Sequence, residues 1–189
     1  MPFDHFNLIA GLYDRAGKFT VTEQLLQLLA LSPKNILLDA GGGTGRVAAA
    51  LRDMVCKVVV ADLSPGMLRR SANKGLESIC TPLEYLPFSS GTFDRVIMMD
   101  ALHHVRDQSQ TARELWRVLA PGGRILIVEP DIHQFVVKLL ALGEKALLMR
   151  SHFLPYEKIA AFFANSDAQV GIVHNEHEVI VLVEKVRQV

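Results

Sequence analysis

Glycines and aspartates are the residues of this sequence whose types and spacing best suit ligand binding. Glycine fills four of the five positions 41–45, and Asp39 stands two positions ahead of the first of them. Because glycine has no Cβ, such a loop can adopt positive φ angles and let a ligand reach the backbone. An apolar run precedes the loop at 36–38 and a helical pattern follows it, so we predict strand, loop and helix. The free N–H groups at the start of that helix suit a carboxylate or a phosphate.

The spacing of the glycines distinguishes between kinds of ligand. The dinucleotide fingerprint is G-x-G-x-x-G. Here Gly41, Gly43 and Gly45 give G-x-G-x-G, and Arg46 stands where the third glycine of that fingerprint would be. The spacing therefore argues against a nicotinamide dehydrogenase. A loop that only makes a tight turn between strand and helix is the structural alternative to a ligand-binding loop.

A second acid follows the next strand of the predicted sheet. The β-branched run 57–61 reads as a strand buried on both faces, and Asp62 comes directly after it. A carboxylate there can accept hydrogen bonds from the two vicinal hydroxyls of a ribose. The alternative is a role at the start of a helix, because Ser64 is a typical N-cap and Pro65 suits the first helical position. Both roles are compatible with one another.

Three stretches together resemble the S-adenosylmethionine-dependent methyltransferases with a Rossmann-like fold, in particular the type 11 and quinone-biosynthesis C-methyltransferases. The first is D-x-G-x-G-x-G at 39–45, the second is F-D-x-V-x-x-x-x-x-L-H-H-V at 93–105, and the third is L-A-P-G-G-R-I-L-I-V-E-P at 119–130. The resemblance implies a three-layer α/β sandwich, whose seven-stranded, mostly parallel Rossmann-like sheet ends in an antiparallel hairpin. It also implies one methyltransferase domain over 1–189, with N-terminal cap helices in 1–31 and substrate-side helices in 131–165.

The same resemblance implies S-adenosylmethionine as cofactor and S-adenosylhomocysteine as product. The residues expected to contact the cofactor are Asp39, Gly41, Gly42, Gly43, Gly45, Asp62, Leu63, Met67, Leu83, Glu84, Asp100 and Tyr13. Core packing is the alternative role for Met67, and a half-buried aromatic on an amphipathic helix is the alternative for Tyr13. Pro82 replaces the acid that usually meets the adenine amino group in this family, so adenine would be read by backbone near Leu83 and Glu84, or by Glu84 itself.

No catalytic residue is assigned from the sequence. Asp100, His103 and His104 follow the fourth strand, where ligands of open α/β sheets bind, and they are the polar groups best placed near a transferred methyl. A histidine could take a proton from the acceptor, or it could pack under the loop and orient it. The resemblance implies in-line methyl transfer, in which proximity and alignment supply ~7–11 kcal/mol and no catalytic triad is required.

Composition limits the partners and the compartment. The chain has 189 residues with 20 Lys+Arg and 20 Asp+Glu, which favours one domain and gives no basic excess for nucleic acid. Cys56 and Cys80 lack metal-type spacing, and we predict buried free thiols in a reducing cytoplasm. The first residues lack the pattern of a signal peptide, no apolar run is long enough to span a membrane, and no metal site is evident.

A largely apolar segment at 132–150, predicted to be helical, and a second helix at about 155–164 would form the wall for a small, apolar methyl acceptor. Ordinary core packing and a homodimer interface are alternative uses of the same apolar residues. A non-catalytic adenosyl-binding protein with a regulatory or assembly role is the alternative function from another class.

The remaining elements are predicted from periodicity and turn signals. Further helices are expected at 20–31, capped by Thr20 or Thr22, and at 107–119, capped by Asp107. Further strands are expected at 77–83, 96–99, 124–130, 169–174 and 179–186, with a turn at 120–123.

Overall fold

A computed structural model describes residues 19–134 and 151–187 of the chain. Its strands form one seven-stranded sheet in the order β3-β2-β1-β4-β5-β7-β6. The strands are β1 (Ile36–Ala40), β2 (Lys57–Asp62), β3 (Glu77–Cys80), β4 (Phe93–Met99), β5 (Leu119–Pro130), β6 (Ala168–His174) and β7 (Glu178–Lys185). β1 to β5 are parallel, β7 is antiparallel to β5, and β6 is antiparallel to β7. The predicted fold class and closing hairpin are confirmed.

Five α-helices and two short 3₁₀ helices connect these strands in the described residues. The α-helices are α1 (Glu23–Leu29), α2 (Arg46–Leu51), α3 (Pro65–Asn73), α4 (Gln108–Val118) and α5 (Tyr156–Ala161), and the 3₁₀ helices are Arg52–Met54 and Leu102–His104. Two N-cap predictions are confirmed, since the Thr22 and Asp107 side chains accept hydrogen bonds from the backbone N–H of Leu25 and Gln110.

Alternate residues of the central strands face two separate cores, as the period-two geometry of a strand requires. On one side, Leu38 and Val96 pack in a cluster that includes residues of α4 and α5. On the other side, Leu37 and Ile97 pack with residues of α1, α2 and α3. Both faces of β1 and β4 are thus covered, which explains the apolar runs 36–38 and 96–99 within them.

The structure differs from the sequence prediction at the start of β5. We predicted a turn at 120–123 ahead of the strand, whereas the strand begins at Leu119. Leu119 pairs with Phe93, and the next pair joins Arg124 to Arg95, so the residues between them form an irregularity in the ladder. Gly122 within it has φ +82°, which suits the glycine at this bulge.

The prediction of buried thiols is wrong. Cys56 and Cys80 are both exposed. Cys80 ends β3, which is the edge strand of the sheet and has no buried residue. The strand predicted at 77–83 is shorter in the structure, because β3 ends at Cys80 and the chain then turns.

Other predictions fall partly outside the described residues. The segment around Tyr13 and most of the predicted helix at 132–150 lie there, so their contacts stay predictions. The helix predicted at about 155–164 is observed as α5, shorter than predicted, with Pro155 as its N-cap, and its place on the substrate side stays a prediction. Among the described residues, no helix is both long and apolar enough to cross a membrane.

Candidate functional site

The glycine loop joins β1 to α2 and packs so closely that side chains would not fit at three of its positions, Gly41, Gly42 and Gly45. A Cβ on Gly41 would lie 2.5 Å from the Cβ of Ala101, and one on Gly45 would lie 2.5 Å from Cδ1 of Leu76. Gly43 is different, because the nearest atoms to a Cβ there are Sδ of Met67 at 3.8 Å and a carboxylate oxygen of Asp62 at 3.9 Å. A side chain at Gly43 would meet only these ordinary van der Waals contacts, so the loop is less crowded there than at Gly41 or Gly45, although its φ of +54° still favours glycine.

Asp39 lies beneath this loop with only 1% of its surface exposed. Its Oδ2 accepts a hydrogen bond of 3.1 Å from the N–H of Ala48 in α2, and a Cβ on Gly42 would come within 2.5 Å of its carboxyl carbon. Burial raises the pKa of Asp39 to about 7; the Ala48 bond opposes the rise and the charge of Asp62 adds to it. In the described structure Asp39 supports the loop from below, and its contact with a cofactor stays a prediction.

Asp62 connects the glycine loop to the start of α3. Its Oδ2 accepts from the N–H of Gly43 at 2.9 Å, and its Oδ1 accepts from the N–H of Ser64 at 2.8 Å. Ser64 is the N-cap residue and Pro65 follows it, as predicted. A carboxylate has about four acceptor positions, so these two bonds do not by themselves exhaust its capacity. Ribose binding by Asp62 remains compatible with this arrangement.

Apolar side chains lie close to Asp62 and the loop. Leu63, the next residue, is 66% exposed, while Met67 of α3 is buried. Leu83 is also buried, with Cδ1 placed 3.6 Å from where a Cβ on Gly41 would be. These residues supply the apolar surface that a purine base requires, and their contact with adenine stays a prediction.

Glu84 has a structural role that the sequence did not indicate. Its Oε1 accepts from the N–H groups of Arg106 and Asp107 at 2.9 and 3.0 Å, and its backbone carbonyl accepts from Nε2 of Gln110 at 3.2 Å. Glu84 is buried and thus holds the turn that leads into α4. Between the two predicted ways of reading adenine, this favours the backbone near Leu83 over the Glu84 carboxylate.

A buried imidazole and carboxylate lie at the carboxyl ends of β4 and β5. Oε2 of Glu129 is 2.6 Å from Nδ1 of His103, and both side chains are at most 5% exposed. Oε1 of Glu129 accepts from the N–H groups of Ala101 and Leu102 at 3.1 and 2.8 Å. Sequence reasoning missed Glu129; the available signal was an acid at the end of an otherwise apolar strand.

We expect Glu129→Ala to destabilise the protein by about 3 kcal/mol, because it leaves two buried backbone donors and one imidazole without their acceptor. Urea unfolding followed by circular dichroism measures this change. Glu176→Ala is the matched control, since the Glu176 side chain is 91% exposed. If Glu129→Ala loses as little unfolding free energy as the control, Glu129 does not hold these backbone N–H groups and the imidazole as described.

The chain returning after residue 150 is fastened to this pair. The N–H of His152 donates to the carbonyl of His103 at 2.7 Å, and the Phe153 ring stacks on the His103 ring with centroids 4.3 Å apart. Nε2 of Gln108 donates both to the carbonyl of Leu102 at 3.0 Å and to that of His152 at 2.6 Å. The segment that leads to α5 is thereby held against the end of β4.

Asp100 and His104 flank the same place. Asp100 has φ +50°, and such a backbone in a non-glycine residue costs on the order of 1–3 kcal/mol. Loss of water around its carboxyl group is the main cause that raises the pKa of Asp100 to about 6. The charges of Glu129 and Glu178 add to the rise, and those of His103 and Arg46 oppose it. Burial, with a smaller effect from His103, lowers the pKa of His104 to about 3.

The structure thus brings most of the predicted site residues to one edge of the sheet, where β1, β2 and β4 end. Asp62, Gly43 and Met67 adjoin one another, and Leu83 and Ala101 adjoin Gly41. Tyr13 lies outside the described residues. Within 19–134 and 151–187, no group of three or more His, Cys, Asp or Glu side chains is arranged to hold a metal ion.

Comparisons with known proteins agree with this geometry. Residues 38–127 match the family described as "Methyltransferase domain". A demethylmenaquinone methyltransferase of Mycolicibacterium vanbaalenii is 35% identical over 181 residues, covering 88% of this chain and 77% of the relative. The ubiquinone/menaquinone biosynthesis C-methyltransferase UbiE of Hydrogenovibrio crunogenus is 33% identical over 142 residues, covering 66% of this chain but only 56% of the relative.

Solved structures share the fold at lower identity. The YcgJ protein of Bacillus subtilis superposes with a TM-score of 0.75 at 17% identity, covering 87% of this chain and 97% of that one.

Proposed function

Because the chain belongs to the S-adenosylmethionine-dependent methyltransferases with a Rossmann-like fold, in the group of the quinone-biosynthesis C-methyltransferases, we propose that its acceptor is a small apolar molecule with an aromatic ring, of the reduced quinone class. It is a methyltransferase, and S-adenosylmethionine is its methyl donor. The acceptor class is proposed because the two relatives are a demethylmenaquinone methyltransferase and a ubiquinone/menaquinone biosynthesis C-methyltransferase. No observation favours the non-catalytic alternative.

The observation that carries the proposal is the hydrogen bond between the glycine loop and Asp62. The loop is uncrowded at Gly43, where a Cβ would meet only ordinary van der Waals contacts, and the Gly43 N–H donates to the Asp62 carboxylate, so the glycine loop and an acid that can accept from hydroxyl groups occur side by side. We propose that the loop holds the methionine end of the donor, that Asp62 holds its ribose, and that Leu63 and Met67 lie against its adenine. The donor supplies the reactivity as a sulfonium, and these residues supply position.

The acceptor wall is proposed to come from the 131–165 region, as predicted for the single domain 1–189. Its described part supports this, because Phe153 and His152 fasten the chain to the end of β4, where the donor's methyl would lie. The equal numbers of acidic and basic residues support a small molecule rather than a nucleic acid, and a cytoplasmic location is part of the proposal. Residues 132–150 could instead form a homodimer interface. Light scattering distinguishes the two, because an acceptor wall is compatible with a monomer and a homodimer interface is not.

Calorimetric titration with S-adenosylmethionine, S-adenosylhomocysteine and NADH tests the donor site. We expect dissociation constants on the order of micromolar, or about −8 kcal/mol, for the two adenosyl compounds and no heat with NADH. Binding of NADH alone would overturn the assignment of the loop.

Turnover with a short-chain demethylmenaquinol and labelled donor tests the acceptor. We expect methyl incorporation with release of S-adenosylhomocysteine. The matched control is the corresponding menaquinol, whose ring position already carries the methyl. Equal incorporation into both quinols, or none into either by a protein that binds the donor, would overturn the acceptor class.

A further inference from the structure

Methylation of a C–H or O–H group releases a proton, and three side chains at the end of β4 could receive it. They are Asp100, His103 and His104, which follow one another around the 3₁₀ helix Leu102–His104. The question of which one does so rests on the proposed function above.

The two histidines are poorly suited to this task. His103 is only 3% exposed, and its ring lies between the carboxylate of Glu129 and the ring of Phe153. The imidazole of His104 is held in its neutral form, with a pKa of about 3, so it binds a proton too weakly to be an effective base near neutral pH.

The backbone places Asp100 beside the donor loop and keeps it there. Its N–H donates to the carbonyl of Val128 at 2.9 Å, which fixes it to the end of β5. The next residue, Ala101, lies so close to Gly41 that no side chain would fit between them, and its N–H is held by Glu129. Asp100 is exposed, so a ligand can reach its carboxylate. Its left-handed φ of +50° is of the kind found at functional sites.

Among the described residues, four charged or titratable groups from different elements act on Asp100. Glu129 of β5 and Glu178 at the start of β7 oppose its ionisation, while His103 and Arg46 at the start of α2 favour it. The largest cause is the protein packed around the carboxyl group, which displaces water from it although the residue as a whole keeps an exposed surface; with these charges it raises the pKa of Asp100 to about 6. Such a group is largely ionised at neutral pH and still binds a proton well, which is the balance a general base needs.

We propose that the carboxylate of Asp100 is the general base that accepts the proton lost by the methyl acceptor. An electron pair of the acceptor forms the new bond to the methyl carbon, and the electrons of the broken carbon–sulfur bond go to sulfur. The electrons of the acceptor's broken C–H or O–H bond remain on the acceptor. The proton goes to Asp100, from which it passes to solvent. The sulfonium charge and the carboxylate charge disappear together, so the step is balanced.

Asp100→Asn is the sharpest test, because asparagine tolerates the left-handed conformation and retains a hydrogen-bond acceptor without binding a proton. With the demethylmenaquinol substrate we expect kcat to fall by about 10²–10⁴-fold. We expect the dissociation constant for S-adenosylhomocysteine to change by less than about threefold, since one acceptor remains. Asp53→Asn, at an exposed aspartate, is the control.

A second measurement does not depend on turnover. In the protein without ligand, the carbon-13 carboxyl resonance that is absent from Asp100→Asn should titrate near pH 6. A midpoint near the ordinary value of about 3.9 would overturn the proposal. An unchanged kcat in Asp100→Asn would also overturn it. So would a variant that binds the donor much more weakly but turns over at the normal rate once the donor is saturating, because Asp100 would then be a binding residue. Absence of turnover in the unaltered protein would instead contradict the acceptor class, and the titration would still decide on Asp100.

Discussion

Asp62→Ala should weaken binding of S-adenosylmethionine by about 100-fold or more. The substitution removes the acceptor proposed for the two ribose hydroxyls, and hydrogen bonds to a charged group contribute about 1.5–3 kcal/mol each. It also removes the acceptor of the Gly43 N–H at 2.9 Å and the Ser64 N–H at 2.8 Å, so the loop and the start of α3 lose their connection. Calorimetry measures the dissociation constant directly.

The control for this prediction is Asp53→Ala, the same change at an aspartate whose side chain is 92% exposed. Circular dichroism shows whether both variants are folded. Asp62→Asn adds a second comparison, because one amide oxygen replaces two carboxylate oxygens and we expect an intermediate affinity. Equal donor affinity in Asp62→Ala and Asp53→Ala would refute the ribose assignment.

The sequence predicted those parts of the site that depend on local patterning. A run of apolar residues that ends in an acid places Asp39 and Asp62 at the carboxyl ends of adjacent strands, and β1 does pair with β2 in register. The glycines at 41–45 predicted the loop, because few other residues adopt φ angles such as the +73° of Gly45. These are short-range constraints, and one sequence contains them fully.

The parts that were missed depend on contacts between distant segments. Glu84 reaches 22 residues ahead to Arg106, and Glu129 reaches 26 residues back to His103. Periodicity carries no information about such partners, since each acid alone looks like any polar residue at a strand end. Cys80 was misplaced for a related reason, because the order of strands in the sheet, not the run of residues 77–83, decides that β3 is at the edge.

Functional assignment is affected by the same limit. Asp39 and Asp62 both follow strands, yet one is buried beneath the loop and the other lies at its rim. Only the structure separates the supporting carboxylate from the one that a ligand can reach. The role of Asp39 is therefore tested by measuring protein stability, and the role of Asp62 by measuring donor binding.

We expect Asp39 to make the protein less stable as the pH rises from about 4 to about 7. Its pKa in the folded protein is about 7, above the ordinary aspartate value of 3.8, so in this window the unfolded chain has released the proton that the folded chain still binds. Stability then falls with rising pH, and it levels off above the folded pKa. The difference between these two pKa values corresponds to about 4 kcal/mol of stability.

Asp39→Asn should abolish this part of the pH dependence. Asparagine does not titrate, and its side-chain oxygen can still accept from the Ala48 N–H, so the variant should match or exceed the stability of the unaltered protein at pH 8. Urea unfolding at intervals from pH 4 to pH 8 gives the difference between the two proteins, in which the contributions of other groups cancel. Asp53→Asn should show a difference that does not vary with pH. If the difference in unfolding free energy for Asp39→Asn is also independent of pH, Asp39 is ionised beneath the loop throughout this range. The negative charge of the site would then be shared between the carboxylates of Asp39 and Asp62.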